Sequence, residues 1–155
     1  MIKKITMAAA GLAIATTAVF AASHAGPFDG QITARQSHMK LYAHNLGILG
    51  GMAKGAIEYN ADTASVAAAN LASLAAMSQA TYWPPGSDSF DNENTSALPK
   101  IWESFPDVGA KGKALVDATG AMNAVAGNGL ADLQAAMGAV GGACGACHKA
   151  YRQPK

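Results

Sequence analysis

The sequence predicts an all-α fold, an antiparallel up-down-up-down four-helix bundle forming one domain. Three observations predict it. The composition is rich in Ala, Gly, Leu and Met, and aromatic residues make up 6% of it; this balance, poor in β-branched and aromatic side chains, favours helix over sheet. Four stretches repeat apolar residues three and four positions apart, the period of a helix. The links between the outer pairs of stretches are short and the middle one is long and polar, as a bundle allows.

Residues 1–25 read as a secretory signal peptide, removed from the mature chain. Lys3 and Lys4 form a basic start, residues 5–22 are uncharged and apolar, and Ser23-His24-Ala25 places small residues where cleavage occurs. The mature chain then spans residues 26–155, enough for one domain with a real core. The exported destination in a bacterium is the periplasm, with no membrane anchor after cleavage.

The first predicted helix covers residues 32–54. Arg35, Met39, Tyr42, Leu46 and Leu49 fall on one face, Gly50-Gly51 weaken the last turn and Gly55 stops it. The second covers residues 62–82, with Asn60 or Asp62 as N-cap and Ala67, Leu71, Leu74 and Met77 on its apolar side. Trp83-Pro84-Pro85-Gly86 ends it. The polar connection through residue 99 is long for a compact domain; such links have a use or are mobile. Pro99-Lys100-Ile101-Trp102 opens a third helical region, interrupted near Pro106. Its body covers residues 107–125, with Leu115, Ala118, Met122 and Val125 inward, and Gly127-Asn128-Gly129 forms a turn.

The fourth helix, residues 130–152, has the clearest pattern. Leu130, Leu133, Met137, Val140, Cys144, Cys147 and Tyr151 alternate three and four apart, so both cysteines lie on the core-facing stripe. They belong to Cys144-Gly145-Ala146-Cys147-His148, a C-x-x-C-H run that marks covalent attachment of a c-type haem. Each thiol can add across one vinyl group of the haem, and His148 can supply the proximal imidazole to the iron. These are the only two cysteines of the chain. The expected cofactor is therefore one covalent haem c, embedded in the bundle beside the last helix.

Other chemistries fit less well. A thiol–disulfide enzyme carries C-x-x-C where a helix opens after a strand, not deep in the last helix of an all-helical chain. A structural zinc site needs a fourth ligand, and Cys144, Cys147 and His148 have no evident one. No catalytic residues stand out, so a non-enzymatic protein is expected. Without Lys3 and Lys4 the mature chain has nine basic against ten acidic residues; there is no basic patch and no nucleic-acid footprint.

The chain resembles the cytochromes c′ and their relatives, the second class of c-type cytochromes. The resemblance spans the mature chain. It rests on Arg35-Gln36, on Pro99-Lys100-Ile101-Trp102, and above all on Cys144-Gly145-Ala146-Cys147-His148-Lys149-Ala150-Tyr151-Arg152. Class I cytochromes c are excluded, because they carry C-x-x-C-H near the N-terminus and take a methionine from far downstream. The resemblance implies that Arg35 pairs with a haem propionate and that Gln36 contacts the haem. Thr95 and Ser96 match a loop that approaches the propionates, and Arg152 matches the basic residue beside the proximal histidine. A homodimer packed through the first two helices is the default that the resemblance implies.

Met39 aligns with the family's distal residue. If it stays off the iron, the haem is five-coordinate, and a crowded apolar pocket admits NO or CO while offering bound O₂ no hydrogen bond. If it binds, as in the cytochromes c556, His/Met ligation gives a low-spin electron carrier that serves redox partner proteins. The first form is preferred because the chain follows the c′ pattern around Arg35. His38 and His44 are expected on the surface or rim.

Overall fold

The computed structural model describes residues 26–154; the expected signal peptide lies outside them. Four long helices and one short helix make up the described chain. They are α1 (Asp29–Ala53), α2 (Ala61–Ala76), α3 (Lys100–Glu103), α4 (Phe105–Val125) and α5 (Leu130–Tyr151), with a 3₁₀ turn at Ala80–Tyr82. In sequence order α1 packs on α2, α2 on α4, α4 on α5, and α5 back on α1. That closed ring is a four-helix bundle. Among the described residues no helix is long and apolar enough to cross a membrane.

Local chemistry sets the helix ends. The Asn60 side chain accepts a hydrogen bond from the Thr63 N–H at 2.8 Å, so Asn60 caps α2 and Asp62 sits in the first turn, favourable to the helix dipole. Gly55 stops α1 with φ of 73°, a left-handed conformation that glycine adopts without strain. Gly50 and Gly51 stay helical. A Cβ on Gly51 would stand 2.5 Å from the Ile57 Cδ1, so glycine here lets the chain after α1 fold back. Pro106 opens α4 rather than breaking it, because a first-turn proline lacks an N–H that would have no partner.

α2 ends at residue 76, not 82. Met77 is extended and its N–H returns to the Ser73 and Leu74 carbonyls. The Leu74 carbonyl also accepts from His38 Nε2–H at 3.0 Å. A side chain of α1 thus helps terminate α2, which no local pattern could reveal. His38 is accordingly buried, 4% exposed, where a surface or rim position was expected.

The core fills one end of the bundle. Leu49 and Met52 of α1, Ala64, Ala67 and Leu71 of α2, Met122 of α4 and Leu133 and Val140 of α5 form one cluster. A smaller cluster of Ala97, Ile101 and Tyr151 closes the other end, flanked by Trp83, Trp102 and Cys147. Toward that end a cavity opens, lined in part by Trp83, Ile101 and Cys147.

Candidate haem site

The cavity measures about 620 Å³, within the size range of small-molecule sites. One wall is α5, with Ala143, Cys144, Cys147 and His148, continued by Arg152. Opposite stands α1 with Met39, Tyr42, Ala43 and Leu46. Phe105, Val108, Lys111, Leu115 and Val116 of α4 close one side, and Met77, Gln79, Ala80 and Trp83 close the other. The two cysteines, half-buried and three residues apart, come to one wall because the helical stripe of α5 continues past the core into the cavity.

Burial raises both thiols above their ordinary range. For Cys147 the nearby Lys111 offsets part of the rise. Burial pushes the His148 imidazole down, and Arg152 adds to the shift. His148 is thus held neutral, the form whose ring nitrogen can donate a lone pair to a metal. Burial drives the Tyr42 phenol up to about 12, Cys144 reinforces this, and a side-chain interaction with Gln79 counters it. The Tyr42 hydroxyl is nonetheless closed off from water without a hydrogen bond of good geometry.

Beneath the cavity, Tyr151 O–H donates to Asp107 Oδ2 at 2.6 Å, and Lys111 Nζ lies 3.3 Å from the same oxygen. This trio ties α4 to α5 next to Cys147.

Arg35, expected to pair with a haem propionate, makes its hydrogen bonds here to the protein. It is 3% exposed and lies outside the cavity lining. Its Nη1 donates to Ser87 Oγ at 2.8 Å and to the Tyr82 carbonyl at 3.3 Å. Its Nη2 donates to Thr95 Oγ1 at 2.8 Å and to the Ser87 carbonyl. The guanidinium also lies 4.7 Å from the centre of the Trp83 ring, a cation–π contact. Burial lowers its pKa and Asp88 partly restores it. Four donors on four protein acceptors make Arg35 the organiser of the 83–99 connection, which is ordered rather than loose.

Gln36, Thr95 and Ser96 also lie outside the lining. Gln36 Nε2 donates to the Asn94 carbonyl at 2.6 Å. The Ser96 carbonyl accepts from the Gln153 N–H at 2.9 Å, and Leu98 N–H donates to the Tyr151 carbonyl at 3.0 Å. The connection is therefore strapped to α1 by Gln36 as well as by Arg35, and to the end of α5. The cations that do line the cavity are Lys111 and Arg152.

The structure brings Cys144, Cys147, His148, Arg152 and Met39 to the lining of one cavity. Met39 is 37% exposed at the mouth. His44 lines a separate surface groove between α1 and α2. Lys111, Trp83 and the Tyr42 hydroxyl are site groups that the sequence did not signal. The donor set suits a c-type haem: two thiols and a neutral imidazole on one wall, apolar walls for a macrocycle, and cations for its carboxylates.

Comparison with known proteins agrees with this geometry. Residues 30–152 match a family model described as Cytochrome C′. The chain is 43% identical to cytochrome c-554 of Cereibacter sphaeroides over 132 residues, 85% of this chain and 86% of that one. It is 35% identical to cytochrome c′ of the same organism, over 91% of this chain and 95% of that one. Among solved structures, cytochrome c′ from Rhodobacter Spheriodes superimposes with a TM-score of 0.80 at 34% identity, covering 82% of this chain and 98% of that one.

Proposed function

The chain belongs to the cytochrome c′ family, monohaem c-type cytochromes, and from that premise we propose that it binds one haem c through Cys144 and Cys147 with His148 as axial ligand. The observation that carries this reading is the meeting of both thiols and the imidazole on one wall of the cavity. The haem supplies an iron that can exchange one electron and bind a small ligand.

The residues of the chain do the rest. Cys144 and Cys147 fix the group to α5. Burial keeps His148 neutral and therefore able to ligate. Arg152 places a positive charge beside it, which favours the more electron-rich state of the site. The apolar walls exclude water and favour small neutral molecules over ions.

The favoured form is five-coordinate, binding NO or CO in the periplasm. Its support is the match of residues 30–152 to the cytochrome c′ family model. The second reading makes Met39 the sixth ligand and the protein an electron carrier for redox partner proteins. Its support is that Met39 lines the same cavity as His148. Under either form a homodimer through α1 and α2 is favoured by their apolar outward side chains Leu41 and Val66, 51% and 62% exposed.

The ferric absorption spectrum, recorded before and after Met39→Ala, separates the two. A high-spin spectrum that Met39→Ala leaves high-spin supports the open site. A low-spin spectrum that Met39→Ala converts to high-spin establishes the electron carrier.

A further inference from the structure

Tyr42 is a buried donor with no well-aligned acceptor among the described residues. The residue is 6% exposed, and among the described residues its hydroxyl makes no hydrogen bond of good geometry, with Gln79 the side chain that comes nearest to supplying one. Buried polar groups in native proteins are nearly always paired, so each exception calls for an explanation. The neighbouring His38 ring lies 4.9 Å away between centroids, with its Nε2–H on the Leu74 carbonyl, and no hydrogen bond joins it to the Tyr42 hydroxyl. The two groups whose proximity influences the phenol, Cys144 and Gln79, both line the cavity. The hydroxyl therefore lies where α1 faces the haem-binding wall of α5.

We propose that Tyr42 is the hydrogen-bond donor of this cavity, held for the acceptor atom of a small neutral ligand bound between α1 and α5. Its ligand class is a diatomic with a lone pair on the outer atom, such as CO, NO or O₂. The phenol stays protonated through the neutral range, since burial drives its pKa up to about 12. Met39 and Gln79, unbranched side chains at the mouth, can move aside to let the acceptor reach the hydroxyl. The pocket expected from the sequence to offer no hydrogen bond thereby gains one. This proposal rests on the haem reading given above and deepens it.

The test is the infrared C–O stretch of the carbon monoxide complex of the haem-loaded protein, in the natural chain and in Tyr42→Phe. Because Met39 would block the position in the electron-carrier form, the same pair is compared in a Met39→Ala background. The expected result is a higher C–O frequency in Tyr42→Phe, with loss of its shift in D₂O. CO should also leave roughly 2- to 10-fold faster, the effect of one ordinary hydrogen bond. Unchanged frequency and dissociation rate in both backgrounds, as when the hydroxyl is bonded to Gln79 instead, overturn the proposal. A protein with no covalent haem in its visible spectrum overturns the haem reading itself, a result distinct from a haem-loaded protein that shows no shift.

Discussion

The two ends of the bundle use the same four helices for opposite purposes. At one end Leu49, Ala64, Leu71, Met122 and Leu133 are each 0% exposed, interdigitated as in any close-packed interior. At the other, Met39, Met77, Phe105 and Val116 are 37%, 51%, 47% and 38% exposed, and all four line one cavity. Apolar side chains gathered round a hollow lack only something to pack against. The difference teaches that the filled end holds the fold while the hollow end is shaped for an occupant, and the thiols and imidazole stand on the wall of the hollow.

The sharpest way to break this comparison is Leu71→Ala. Removing a fully buried leucine from the filled end should cost about 2–5 kcal/mol of folding stability, measured by denaturant unfolding, and leave the haem spectrum unchanged. In the haem-free protein, Val116→Ala at the mouth should cost under about 0.5 kcal/mol, as exposed substitutions do. Similar losses for the two would erase the distinction between the ends.

A smaller effect sharpens the comparison at the junction of α4 and α5. The Tyr151 hydroxyl, and then Lys111, hold the Asp107 carboxyl below its ordinary range. A carboxyl whose pKa is lower folded than unfolded stabilises the fold above its unfolded pKa, and that contribution fades as pH falls through the folded value. Asp107→Asn should therefore lower stability at neutral pH slightly and flatten the acid limb of the stability profile. An acid limb that Asp107→Asn leaves unchanged would remove this tie from the account.

Much of this architecture was legible in the sequence because it is local. The stripe of α5 runs from Leu133 through Val140 to Cys147 and Tyr151 with helical period, and it set the cysteines on the inner face. Gly55 and Asn60 marked helix ends by their own chemistry. What the sequence hid depends on residues far apart in the chain. The face expected on α1 contained Met39 and Leu46; the buried one contains Ile32, His38, Asn45 and Met52 along with Arg35, Tyr42 and Leu49. His38 is buried because Leu74 offers a carbonyl, and Asn45 because it accepts from Asn70 at 3.1 Å. Arg35 sat on the predicted stripe, yet its partners are Tyr82, Ser87 and Thr95, acceptors supplied by a connection with no regular pattern. Lys111 looks in sequence like any solvated lysine of an amphipathic helix, and only the packing of α4 against α5 turns it toward Cys147.

Every functional role assigned to these residues depends on the attachment of one haem to α5. Mass spectrometry of the peptide carrying residues 144–148, taken from the exported protein, tests it most directly. The predicted result is a peptide bearing one haem through both Cys144 and Cys147, with neither thiol free. Recovery of that peptide with two unmodified cysteines, or with the two joined to each other as a disulfide, would contradict it.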